Sequence, residues 1–156
     1  MPIGKISRSK LAKRAIRGGV ITPPSPPPPP VPAYLPNRRS SGAFSAPKDA
    51  TRIDWVVVNG GSGPHWIRVT TFKCPVGAAK IAIAGPTAVY LDATFAAHEA
   101  VPLSGGKPDR ASVYYEVLIE DEDAYMHPSV QLFRKYPTEV IAGTLITPGD
   151  FVPTAT

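Results

Sequence analysis

Residues 111–120 read ASVYYEVLIE, and their alternation decides the fold. Val113, Tyr115, Val117 and Ile119 share one side of an extended chain, with Tyr114, Glu116 and Glu120 on the other, joined by Leu118. Successive side chains of a strand point to opposite faces, so this is a strand with one face on a core and one toward water.

The same period continues outward in both directions. TRIDWVVV (51–58), HWIRVTTFKC (65–74), AKIAIA (79–84), TAVYLDATF (87–95), SVQLFRKY (129–136) and TEVIAGTLI (138–146) are short β runs. Turn-forming residues separate them: NGGSGP (59–64), Gly85-Pro86, and SGGKPD (104–109), with Pro148-Gly149-Asp150 closing the series. This spacing predicts an all-β fold, a small Ig-like or jelly-roll-like sandwich of about seven strands. The expected core is Ile53, Trp55, Val57, Ile67, Val69, Ile81, Ile83, Val89, Leu91, Val113, Tyr115, Val117, Ile119, Val130, Leu132, Ile141 and Leu145. The roughly 106 residues from Thr51 onward are enough to bury such a core without disulfide or metal support.

Residues that carry chemistry are sparse. Cys74 is the single cysteine, which excludes an intramolecular disulfide and reads as a structural thiol near a strand end. His65, His98 and His127 show no ligand spacing. The run Glu120-Asp121-Glu122-Asp123 with His127 reads as a solvated acidic turn, since its spacing fits no EF-hand loop. The glycine-rich stretch 59–64 lacks the Lys-Ser/Thr ending of a phosphate loop and reads as a flexible hairpin loop. Trp55 and Trp66 read as core or interface anchors. No catalytic, cofactor-binding or metal-ligating set is assigned, and the chain is expected not to be an enzyme.

Ahead of the β runs the composition changes. Thr22 to Pro36, TPPSPPPPPVPAYLP, holds nine prolines in fifteen residues. Proline fixes its own φ and disfavours helix in the residue before it, so Pro23 to Pro32 should be polyproline II, a rod on the order of 30 Å. It reads as a semi-rigid spacer or a strap hugging a surface. A ligand for an SH3- or WW-type groove and a linker without a role are the other readings. Before it, KISRSKLAKRAIR (5–17) is basic, free of acids and able to form a short helix that Gly18-Gly19 would stop. Its composition is also that of a mitochondrial presequence, but no apolar run follows its charge as in a secretory signal. No run of about eighteen apolar residues exists, so no transmembrane helix is expected.

Charge divides the chain. Residues 1–50 carry nine Lys/Arg against one acid, and residues 51–156 carry eight against eleven. A basic tail on a mildly acidic body suggests docking on an anionic surface. The expected division is a basic arm (1–20), a proline-rich strap or linker (21–50) and a β-sandwich (51–156). The candidate partner-binding residues are Lys5, Arg8, Lys10, Lys13, Arg14, Arg17, Pro23, Pro24, Pro26, Pro27, Pro28, Pro29, Pro30, Pro32, Tyr34, Arg38 and Arg39.

This plan of basic residues 5–17, proline run 23–32 and β runs after Thr51 resembles auxiliary structural proteins of tailed bacteriophages, of the capsid decoration or cement type. The resemblance is one of organisation and carries over no binding residue. It implies a non-enzymatic virion component, in the capsid or as a neck or tail accessory, whose arm clamps neighbouring subunits. Its partners would be a major capsid or other virion protein and further copies of itself. A nucleic-acid-binding protein using the basic arm, and a carbohydrate- or receptor-binding sandwich, are the alternatives. The expected location is the virion, or the cytoplasm if the protein is not viral.

Overall fold

The alternation in residues 111–120 is realised as β6 (Val113–Asp121), in which Tyr115, Val117 and Ile119 are all buried. The structure is a computed structural model that describes residues 25–103, 113–123, 125–134 and 139–154. Residues 1–24, on which the short-helix reading and the candidates Lys5, Arg8, Lys10, Lys13, Arg14, Arg17, Pro23 and Pro24 fall, lie outside it.

Among the described residues nine strands form two antiparallel sheets. The other strands are β1 (Asn37–Ser40), β2 (Ala50–Asn59), β3 (His65–Pro75), β4 (Ile81–Leu91), β5 (Ala96–Pro102), β7 (Met126–Arg134), β8 (Glu139–Val140) and β9 (Val152–Pro153). One sheet has the order β4-β3-β6-β1-β9, and the other β5-β2-β7-β8. Ile53, Trp55 and Val57 of β2 with Val130 and Leu132 of β7 meet Ile67 and Val69 of β3 and Tyr115, Val117 and Ile119 of β6 in one hydrophobic cluster. The all-β sandwich is therefore present. Burying a single side chain such as Ile53 contributes about 1.5–3 kcal/mol, and the cluster draws on both sheets.

Several sequence-based expectations need correction. AKIAIA and TAVYLDATF, expected as two strands, are one strand, β4, running through the cis Gly85–Pro86 bond. Gly85 has φ +84, and a Cβ there would stand 2.3 Å from the Val69 carbonyl oxygen, so only glycine lets the two backbones approach. The register with β3 shifts on both sides of Thr71. The two shifts cancel for Ile81, which lies opposite Lys73 on the core-facing side and, although expected in the core, is exposed at the end of this edge strand, while Ile83 is half-buried. TEVIAGTLI is not one strand either. Gly143 turns the chain at φ +76, and the Thr144 hydroxyl donates to the Ile141 carbonyl at 2.6 Å. Ile141 and Ile146 reach the core while Leu145, between them and solvent, is exposed. β5 has too many alanines to announce itself as a strand, yet it pairs with β2 over seven residues.

The largest correction concerns where the body begins. Asn37–Ser40, expected within the strap, is strand β1, inserted between β6 and β9. Leu35 and Ala50 are buried, and the Ser41 N–H donates to the Val117 carbonyl at 3.0 Å. The boundary expected at Thr51 therefore moves back to about Leu35. An isolated four-residue segment with two arginines gives no periodic signal, so only the pairing reveals it.

Candidate functional site

The two faces of the five-stranded sheet follow from its register. Ile67 opposite Asp121, and Val69 opposite Ile119, point to the core, so Arg68 opposite Glu120 and Thr70 opposite Leu118 point outward. Trp66, facing Tyr90 of β4 across the ladder, is on this outer face too. An outer face is normally wet. Here Trp66 is 8% exposed, Thr70 8% and Leu118 7%, and none of the three belongs to the inter-sheet core.

The proline strap lies against this face. Arg68 Nη2 donates to the Pro32 carbonyl at 2.8 Å, which fixes the strap over the middle of the outer face. Leu35, 1% exposed and also outside the inter-sheet core, ends the strap before β1 starts. At the other end Ser25, Pro26, Pro27, Pro28 and Pro29 border a groove of about 520 Å³ whose opposite wall is Pro64, Tyr90 and Asp92. The Tyr90 and Trp66 rings lie 5.2 Å apart at 46°. The strap thus crosses from the β4 edge toward β6 and β1. Its stiffness suits this role, because prolines lose little further freedom on docking.

Of the candidate partner-binding residues, Pro26 to Pro30 keep exposed outer surfaces, Pro32 is half-buried and Tyr34 is 61% exposed. Of the two strand arginines, Arg38 is opposite Glu120 on the outer face, and Arg39 serves the body. The Arg38 carbonyl accepts the Thr154 N–H at 2.9 Å. Arg39, opposite Ile119, turns to the core side and pairs with Asp121, a fully buried carboxylate. Burial pushes the Asp121 carboxyl above its ordinary pKa, against the pull of the Arg39 guanidinium. Residues 1–24 hold six Lys/Arg and no acid, and the remaining residues, Arg38 and Arg39 among them, eleven Lys/Arg against twelve acids.

The acidic run is not a solvated turn. Glu120 faces Arg68 at 3.5 Å, Asp121 pairs with Arg39, and Glu122 Oε2 accepts the Trp66 backbone N–H at 2.6 Å. Asp123 lies 3.0 Å from His65 Nε2 and accepts the Tyr125 N–H through its other oxygen. Each acid has a partner in its own chain. Stretch 59–64 is not a flexible hairpin either, since it joins the two sheets and Asn59 pins it. The fully buried Asn59 side-chain amide donates to the Gly63 and Leu91 carbonyls, both at 2.8 Å, while its oxygen accepts the Gly61 N–H.

Farther along the outer face, Glu116 is buried and holds a polar cluster. It accepts from the Ser40 hydroxyl at 2.7 Å, pairs with Lys80 and lies 3.8 Å from the Cys74 sulfur. Burial works against its charge, but the bonds from Lys80 and Ser40 win and hold the carboxyl below its ordinary pKa. Stability from those bonds is present above the ordinary glutamate pKa and is lost as pH falls through the lowered one. Burial, and then the Glu116 charge, raise the Cys74 thiol. A raised thiol is mostly unionised at neutral pH and a poor nucleophile. Iodoacetamide should therefore alkylate the half-exposed Cys74 more slowly in the folded than in the unfolded chain at pH 7.5. Glu116→Gln should raise the folded rate. Equal rates folded and unfolded would contradict this placement.

The residues sequence reasoning missed are Leu35, Trp66 as an outer-face residue, Arg68, Tyr90 and Leu118. Two carried a signal. Leu118 is the apolar residue on the polar side of ASVYYEVLIE, and Leu35 is a large apolar side chain within a proline tract. No family model matches the chain, and no curated protein or solved structure is similar enough to it to carry a function across.

Proposed function

We propose that this chain is a non-enzymatic assembly protein, a virion component of the capsid decoration, neck or tail accessory kind, whose basic N-terminal segment docks on neighbouring subunits. One observation supports the reading most. The strap is anchored on its own body by Arg68 and Leu35, so the basic segment departs from a fixed point, Ser25, beside the β4 edge. A fixed departure point gives a charged segment a defined reach, which suits a lattice with regular spacing. Six cations without an acid in residues 1–24 suit an anionic protein surface.

The test is cross-linking of the assembly recovered through a tagged full chain. Links from Lys5, Lys10 and Lys13 to acidic surfaces of another protein support the reading, and links confined to the chain itself oppose it. Nucleic acid is the second reading, favoured by the same six cations. If all six neutralised phosphates, log K would fall against log salt with a slope of about −5. We expect no saturable binding to arbitrary duplex DNA at physiological salt. A slope near that value, abolished by removing residues 1–24, would favour the second reading.

A further inference from the structure

We propose that the groove between the strap and the end of β4 is a parking site for the chain's own basic segment, in which a lysine or arginine of residues 10–17 sits against Tyr90 and Asp92 until an acidic lattice draws the segment away.

Three observations carry this. First, the groove offers many acceptors and few donors. Proline has no backbone N–H, so Pro26 to Pro29 and Pro64 bring only carbonyl oxygens to its walls. Polyproline carbonyls have no partner within their own helix. Asp92 adds a carboxylate, and the half-buried Tyr90 adds a ring whose face attracts cations. An ammonium or guanidinium, which only donates, complements such a surface. Second, Asp92 is exposed and is the one acid among the described residues whose carboxylate has no hydrogen-bond or ion-pair partner there. No described Lys or Arg borders the groove. Close by, His65 follows Pro64, lies opposite Leu91, and is the one described cationic neighbour of Glu122 and Asp123. Third, the segment that lacks counter-charge joins the body at this groove. Ser25 is part of its wall, and the 24 residues before it hold six cations and no acid.

The chain's own segment is the occupant because of where it is tethered. Arg17 is eight residues before Ser25 and Lys13 is twelve. Extended chain of those lengths reaches about 26 and 40 Å, well beyond the groove. Gly18-Gly19, which lack a Cβ, let the chain double back between these cations and the strap. A tether this short gives a local concentration in the millimolar range, which a free partner must exceed. The contact is nevertheless weak, since an exposed ion pair is screened and contributes little to stability. A surface with many acids can therefore take the segment away, so that it is held back on a lone chain and released on the lattice. The proposal rests on the assembly reading for this purpose but not for the contact itself.

Carbodiimide coupling of the isolated full chain, read by peptide mapping, tests the site, because it joins a lysine to a carboxylate only where the two touch. Lys10 or Lys13 should couple to Asp92 within the monomer band, ahead of the exposed Asp49 and Glu139 side chains. Tyr90→Leu, which keeps the bulk and removes the ring, should lower that yield about threefold, the scale of an exposed cation–π contact. Asp92→Asn removes the coupling site, and its released segment should bind soluble polyglutamate about threefold more tightly than the unaltered chain does. That factor follows when a competing state that holds about two thirds of the chains is lost. Coupling spread evenly over Asp92, Asp49 and Glu139, or a yield at Asp92 indifferent to Tyr90→Leu, overturns the site. Coupling to Asp92 found only in a dimer band makes a second copy the occupant and overturns the parking. Coupling to Asp92 as stated, with polyglutamate bound by neither chain, keeps the parking and removes the acidic partner of the assembly reading.

Discussion

Removing residues 1–36 should destabilise the β body by about 3 kcal/mol, whereas removing residues 1–24 should change its stability by less than about 0.5 kcal/mol. The first cut takes away Leu35, which is 1% exposed, and the Pro32 carbonyl that Arg68 binds. Losing a buried leucine alone costs about 2–5 kcal/mol. The outer face around Arg68 and Tyr90 then loses the strap that lies against it, which adds to the loss. Against this stands the entropy returned to the freed strap, which is small for a proline-rich segment. The net change should lower Tm by about 10 °C. Thermal unfolding of the three chains checks it, and equal midpoints would show that the strap is a passenger. A functional test of the arm must therefore cut after residue 24, since a deeper cut confounds lost docking with lost stability.

The second large effect lies between β1 and β6. Arg39→Met should cost about 4 kcal/mol, because it leaves the fully buried Asp121 carboxylate without its partner. Arg39→Met combined with Asp121→Leu should recover most of that, since a buried pair is often matched by packed apolar residues. The pH dependence follows from the direction of the Asp121 shift. Its folded pKa is raised by burial, so the folded state binds the proton first as pH falls. The cost of burying the charge is present in full above the raised pKa and falls away as pH drops from there to the ordinary aspartate pKa. Without Arg39 the rise is larger, so the deficit of Arg39→Met should be greatest at neutral pH and shrink on acidification. Denaturant unfolding of both variants at several pH values measures this, and a deficit that grew on acidification would contradict the assignment.

How much of this was legible in the sequence varies by element. Apolar residues at every second position made β2, β3, β6 and β7 readable, because one face of each packs into the inter-sheet core. The proline tract announced extended backbone with equal clarity, since proline's φ is covalently fixed. What it did not announce was the surface it lies on. Trp66, Arg68 and Tyr90 look like ordinary outward residues of β3 and β4, and only the register brings them under the strap. Arg39 is a related case. Next to a basic arm it extends that charge, but strand pairing turns it inward to a carboxylate 82 residues away. The acidic run 120–123 reads as a solvated turn for the same cause, because its side-chain partners Arg68, Arg39 and His65 and the Trp66 backbone are distant in sequence.

The account stands on residues 25–36 being part of the folded body and not a free linker. Nuclear Overhauser contacts between Pro32 and Arg68 test this most directly, in the full chain and in the chain lacking residues 1–24. The account predicts the same contacts in both, since the anchor is Arg68 and Leu35 and owes nothing to the basic segment. Random-coil proline signals with no contact to Arg68 in the full chain would contradict it.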